Sequence, residues 1–185
     1  KNRSVNQDSL LCEEGAVGEL SNLFIVADGM GGYNGGDFAS RFCVDNVKDY
    51  ILKNNGGSII STIRSAITAA NDGIREKTKA NEELKGCGTT IVLATIKDDI
   101  LYIANVGDSR LYVIQNGALS QITEDHSVVE EMIKSGLIKK EEARFNPHKN
   151  KVTRALGVEP DIEVDFFEVK LTKGDRIFLC SDGVS

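Results

Sequence analysis

Cysteine is sparse: Cys12, Cys43, Cys87 and Cys180 are far apart, with no C-x-x-C pair and no histidine at zinc spacing. That excludes a zinc module and a disulfide-stapled scaffold, and it suits a reduced, cytosolic protein. No apolar run approaches the roughly 20 residues that a membrane span needs, and no signal peptide is visible. Basic runs are lacking too. The net charge of −6, from 28 acidic and 22 basic residues, argues against a nucleic-acid or anionic-membrane surface. Only two prolines, with 41% hydrophobic and 27% charged residues, exclude a disordered chain. No internal repeat, low-complexity tract or linker breaks the 185 residues, so one domain is expected. The chain opens at Lys1 without a methionine and stops at Ser185, and it reads as a piece of a longer protein.

What is present is a stretch that could hold chemistry: Phe24-Ile-Val-Ala-Asp28-Gly-Met30-Gly-Gly-Tyr-Asn-Gly-Gly36. The apolar run Leu23 to Ala27 predicts a buried strand that stops at Asp28 and a glycine-rich turn. A strand end is a stiff support for a carboxylate, and Gly29 can offer its carbonyl beside it. Carboxylate, carbonyl and water oxygens are what Mg²⁺ and Mn²⁺ prefer. Taken alone, Asp28-Gly29 fits an ordinary turn equally well.

The remaining elements follow from periodicity. A short strand is predicted over 9–12, just after Asp8. Asp37 to Lys53 places Phe38, Phe42, Cys43, Val47, Tyr50 and Ile51 on one helical face. Ser58 can cap a second helix reaching about Asn81, with Ile60, Ile63, Ile67, Ala70 and Ile74 as its stripe. So short a link makes the two an antiparallel pair. Strands are predicted over 88–97, 100–106, 110–115, 118–122, 162–170 and 176–180. Asp98-Asp99, Asn116-Gly117 and Lys173-Gly174 serve as tight turns, so the sheets are antiparallel. Short helices are predicted over 127–134 and 139–144, in a polar insertion that ends near Lys151. The last strand runs into Asp182-Gly183, repeating the strand-then-Asp-Gly pattern.

Seven motifs occur in order: Arg3-x-x-Asn6-Gln7-Asp8, Val26-Ala27-Asp28-Gly29-Met30-Gly31-Gly32, Gly88-Thr89-Thr90, Asn105-Val106-Gly107-Asp108-Ser109-Arg110, Asp125-His126-Ser127, Thr153-Arg154-Ala155-Leu156-Gly157 and Ser181-Asp182-Gly183. As an ordered set they resemble the metal-dependent serine/threonine protein phosphatases of the 2C type, closest to the bacterial branch. The resemblance implies an α+β, four-layer α-β-β-α sandwich of two antiparallel sheets flanked by helix pairs, here truncated at both ends. It implies one catalytic domain over 1–185, with a flap-like insertion at about 126–151. Two Mn²⁺ or Mg²⁺ ions are implied, with Asp28 bridging both, the Gly29 carbonyl on one and Asp182 on the other. Asp108 would bind a third, weaker ion, Asp8 would order water, and Arg3 would hold the substrate phosphate through its planar fork.

The implied reaction is hydrolysis of phosphoserine and phosphothreonine by a water or hydroxide bridging the two ions. Phosphorylated proteins would be its substrates and a serine/threonine kinase its counterpart, in a cytoplasmic monomer. Three departures stand out: Met30 where many members have histidine, Gln7 for a frequent glutamate, and Asn146-Pro147 for a frequent His-Pro. His126 reads as a packing or hydrogen-bonding residue, His148 as exposed loop, and Arg154 as a structural ion-pair partner. The family carries one more metal-binding aspartate, in an Asp-Asn pair after Ser-Asp-Gly. No such pair precedes Ser185, so the chain as given is expected to be weakly active or inactive. The competing reading is a catalytically silent relative that binds a partner through the same fold.

Overall fold

The computed structural model describes residues 6–32 and 35–184. Strand β1 (Asp8–Glu13) pairs with β2 (Leu23–Met30), followed by helices α1 (Gly35–Lys53) and α2 (Ile59–Ala80). Then come β3 (Gly88–Thr89), β4 (Ile91–Lys97), β5 (Ile100–Val106), β6 (Arg110–Gln115) and β7 (Ala118–Gln121). Two short helices, α3 (Val128–Lys134) and α4 (Lys140–Ala143), precede β8 (Asp165–Lys170) and β9 (Arg176–Cys180). All pairing is antiparallel, in a larger sheet ordered β1-β2-β4-β5-β8, with β3 also on β2, and a smaller one ordered β7-β6-β9.

The period-two alternation of β2 separates two cores. Leu23, Ile25 and Ala27 join Ile91, Leu93, Ala104 and Val106 under the helices. There they meet Ala39, Cys43, Val47 and Ile51 of α1 and Ile63, Ala66, Ile67, Ala70 and Ile74 of α2. On the opposite face Phe24 and Val26 join Val92, Ala94, Leu101 and Ile103 against Leu111, Val113, Ile177 and Leu179 of the smaller sheet. Each fully buried Ile or Leu contributes about 1.5–3 kcal/mol to this packing. Asp28 continues the Phe24–Val26 series, so the strand's pleat points it between the sheets at their open end.

Helix α2 starts where Ser58 accepts the Ser61 N–H at 3.2 Å, and it ends at Asn81. The link 54–58 is too short for anything but antiparallel packing of the pair. The layers thus run helix pair, sheet, sheet. No second long helix pair covers the smaller sheet among the described residues, and its outer face carries the half-exposed Leu119 and Phe178.

Several expected boundaries shift. Asp28 does not follow its strand but lies inside it, because β2 gains partners on both sides: Asp8↔Asp28 on β1 and Gly29↔Thr89 on β3. Asp8 is itself the first residue of β1. The single strand expected over 88–97 is interrupted at Thr90 without a change of register. There the Thr90 hydroxyl, rather than its carbonyl, accepts the Asp28 N–H at 3.0 Å. The strand expected from Ile162 begins at Asp165, where pairing with Asn105 of β5 starts.

Candidate metal centre

Five chain segments bring polar residues to one end of the sandwich. Asp8 and Asp28 are direct partners across β1 and β2, so their side chains share a face. The Gly107-Asp108 turn leaves β5, and β9 delivers Ser181 and Asp182 beside it, since Arg110 pairs with Cys180. Ser181 Oγ donates to Asp8 Oδ2 at 3.1 Å, tying the first strand to the last. Thr90 Oγ1 shares a 2.7 Å hydrogen bond with Ser109 Oγ, and this joins the β2 end to the Asp108 turn. Arg3 lies outside the described residues.

The carboxylates crowd one another. Burial pushes the Asp28 carboxyl up to about 7, helped by Asp8 and Asp182, by a hydrogen bond shared with Asp182, and by Asp108. Asp108 is pushed up to about 6 by burial, then by Asp182 and Asp125, against lowering by a backbone N–H and Arg110. Positive charge among these aspartates would relieve their mutual repulsion. Among the described residues no three Asp, Glu, His or Cys side chains stand close enough to hold one ion between them. A hard cation held by one or two carboxylates, a carbonyl and several waters needs no such trio. Gly36 packs closely against the buried Gly29 carbonyl: a Cβ on Gly36 would lie 2.8 Å from the Gly29 oxygen. A Cβ on Gly29 itself would stand 2.0 Å from the Gly36 oxygen. The residues present therefore fit one or two divalent ions.

The turn that carries Asp108 is fixed from behind. His126 Nδ1 accepts the Gly107 N–H at 3.0 Å, so in the neutral ring Nε2 carries the proton and donates to Asp165 Oδ2 at 3.0 Å. Arg154 pairs with Asp165 at 3.0 Å and with Glu163 at 3.1 Å. The structural readings of His126 and Arg154 agree with this, and His148 is exposed. Asp165 is held below the usual carboxylate range: burial opposes the shift, but the hydrogen bond from His126 and the pairing with the Arg154 guanidinium outweigh it. Buried Asn105 donates to the Gly107 and Glu124 carbonyls at 3.3 and 3.0 Å.

Beyond Asp108 the polar wall continues. Arg110 grips Asp125 through two nitrogens on one edge of its guanidinium, Nε to Oδ1 at 2.9 Å and Nη2 to Oδ2 at 2.7 Å. The chain then leaves the sheets as an arm, residues 128–151, closed at its base by the Ser127↔Val152 bridge and the Thr153 N–H on the His126 carbonyl. A cavity of about 850 Å³ separates the arm from Asp108, Arg110 and Asp182. Thr90, Ser109, Ser181 and the Arg110–Asp125 fork received no role from sequence. Each lies in or beside a motif, but the spacing says nothing of the cross-strand bonds they make.

The family model of protein phosphatase 2C matches residues 1–185. The serine/threonine phosphatase stp of Listeria monocytogenes is 43% identical over 167 residues, 88% of this chain. The chain spans 66% of that relative's length. The crystal structure of the Mycobacterium tuberculosis serine/threonine phosphatase PstP/Ppp superposes with a TM-score of 0.88 at 32% identity, covering 100% of this chain and 75% of that one. The catalytic domain of the serine threonine protein phosphatase PstP in complex with two manganese ions gives a TM-score of 0.85 at 31% identity, covering 100% and 74%. A match along every residue, carried by the same antiparallel sheets, means that the chain belongs to the protein phosphatase 2C family.

Proposed function

We propose that the protein is a metal-dependent phosphatase that hydrolyses phosphoserine and phosphothreonine in proteins. The observation that carries this reading is the convergence of Asp8, Asp28, Asp108 and Asp182 at one end of the sandwich, in a chain 43% identical to a serine/threonine phosphatase. Asp28 would hold both of two ions, Mn²⁺ or Mg²⁺, with the Gly29 carbonyl on one and Asp182 on the other. When bound, the ions would supply a nucleophilic water and Lewis acidity toward the phosphoryl oxygens. Asp8, whose Oδ2 accepts from Ser181, would order water with its other oxygen. Asp108, held by its turn, would take a third, weaker ion. Arg3 would clamp the substrate phosphate. The described cysteines are all free and no described helix is long and apolar enough to cross a membrane; we place the protein in the cytoplasm, as a monomer opposing a serine/threonine kinase.

The test is release of inorganic phosphate from a phosphothreonine peptide by the whole protein in Mn²⁺, with and without chelator. Release that depends on the ion is expected. No release with either Mn²⁺ or Mg²⁺ would overturn the reading in favour of a silent relative.

A further inference from the structure

The cavity between the arm and the smaller sheet has walls of unlike charge. On the sheet side two of the four acidic residues are answered by ion pairs: Asp125 by the Arg110 fork, and Glu124 by Lys134 Nζ at 2.7 Å. On the arm side Lys140, Arg144 and Lys149 line the same space, all exposed, with Glu130 as the one carboxylate of that wall. None of the three is held in an ion pair among the described residues, although this chain pairs many of its other surface cations. The arm, residues 128–151, carries six Lys and Arg against four Glu, a net charge of +2 in a chain of net −6. One end of the cavity is Asp108 and Asp182, two carboxylates of the metal centre.

A phosphorylated residue seated over that end puts its chain neighbours into the cavity, because an extended peptide advances only about 3.3–3.6 Å per residue. Its flanking side chains then meet the arm. We propose that the arm selects phosphopeptides with acidic residues beside the phosphorylated one, Lys140, Arg144 and Lys149 receiving those carboxylates. The inference rests on the phosphatase reading and names its substrate class. These cations stand in solvent, so each contact is weak and salt-sensitive; together they amount to about tenfold in kcat/KM.

The experiment uses the whole protein in Mn²⁺ with p-nitrophenyl phosphate and three phosphothreonine peptides, identical except for Glu, Gln or Lys beside the phosphothreonine. Glu is expected to exceed Gln and Gln to exceed Lys, with the order flattening in about 1 M salt, where the Debye length falls to about 3 Å. The combined variant Lys140→Glu, Arg144→Glu, Lys149→Glu is expected to invert the order. Hydrolysis of the ester with equal rates on the three peptides, or an order untouched by the charge reversal, overturns the proposal. No hydrolysis of the ester or of any peptide is a different failure, that of the phosphatase reading on which it stands.

Discussion

Asp8 and Asp28 stand directly opposite each other across the β1–β2 ladder. Opposed antiparallel residues have their Cβ atoms about 4.5–5.5 Å apart, and like charges there are destabilising. The register thus builds repulsion into the end of the larger sheet, and a cation between the strands would relieve it.

Removing one of the two charges should show this. With chelator at about pH 8, Asp8→Asn is expected to raise the melting temperature, by the equivalent of about 0.5–1 kcal/mol. The amide can still accept the Ser181 hydroxyl, so packing is kept. Mn²⁺ should stabilise the variant less than the wild type. A lower melting temperature in chelator would mean that the pair is not repulsive.

The raised carboxyls give a pH dependence whose sign is fixed. Folded Asp28 keeps its proton to about 7, whereas the unfolded group loses it near 3.8. Between those values the folded state binds more protons, so the metal-free protein loses stability as pH rises through this window. Asp108 adds to the same trend up to about 6. Mn²⁺ must displace the Asp28 proton, so its affinity should fall as pH drops below about 7, up to tenfold per unit for one proton. Denaturant titrations with chelator, and calorimetry with Mn²⁺, test the two halves separately. Flat profiles in both would contradict the crowding of Asp8, Asp28 and Asp182.

Gly36→Ala separates site geometry from helix propensity. The new Cβ would lie 2.8 Å from the Gly29 oxygen and 2.8 Å from Gln7 Cδ. Overpacking of this kind costs about 1–3 kcal/mol. It should also turn the Gly29 carbonyl and weaken Mn²⁺ binding by about tenfold or more. Because alanine is the better helix former, a more stable variant with unchanged affinity would show that the close approach is idle.

The Arg110–Asp125 fork should matter for folding. Arg110→Ala leaves a largely buried carboxylate unpaired near Asp108, at a cost of about 2–3 kcal/mol in urea denaturation. Arg110→Lys keeps the charge but not the two-point grip, so it should recover only part of the loss. A cost below about 0.5 kcal/mol for the alanine would place this pair with ordinary surface pairs.

The strands 100–106, 110–115 and 176–180 were legible to the residue because local turn chemistry bounds them. Asp98, Asp99 and Asn116 take positive φ in turns that those residue types favour. The end of β2 was not legible in that way. Asp28-Gly29 looks like a turn, but pairing with Asp8 on one side and Thr89 on the other carries the strand through to Met30. Tertiary pairing overrode local propensity there. The acidic positions could be named from their motifs, since each motif is contiguous. The bonds that hold them, Thr90 to Ser109, Ser181 to Asp8 and His126 to Gly107, link residues 19 to 173 positions apart, and no periodicity reports them.

The central claim is that Asp28 organises a catalytic pair of divalent ions. Its most direct test is phosphate release from a phosphothreonine peptide in Mn²⁺ by the whole wild-type protein and by its Asp28→Asn variant, with Mn²⁺ stoichiometry measured on both. The wild type should turn over, bind two ions and stop on chelation. Asp28→Asn should remain folded, lose the two-ion stoichiometry and fall in kcat on the order of a thousandfold. Turnover near the wild-type rate by Asp28→Asn, with two ions still bound, would contradict the account.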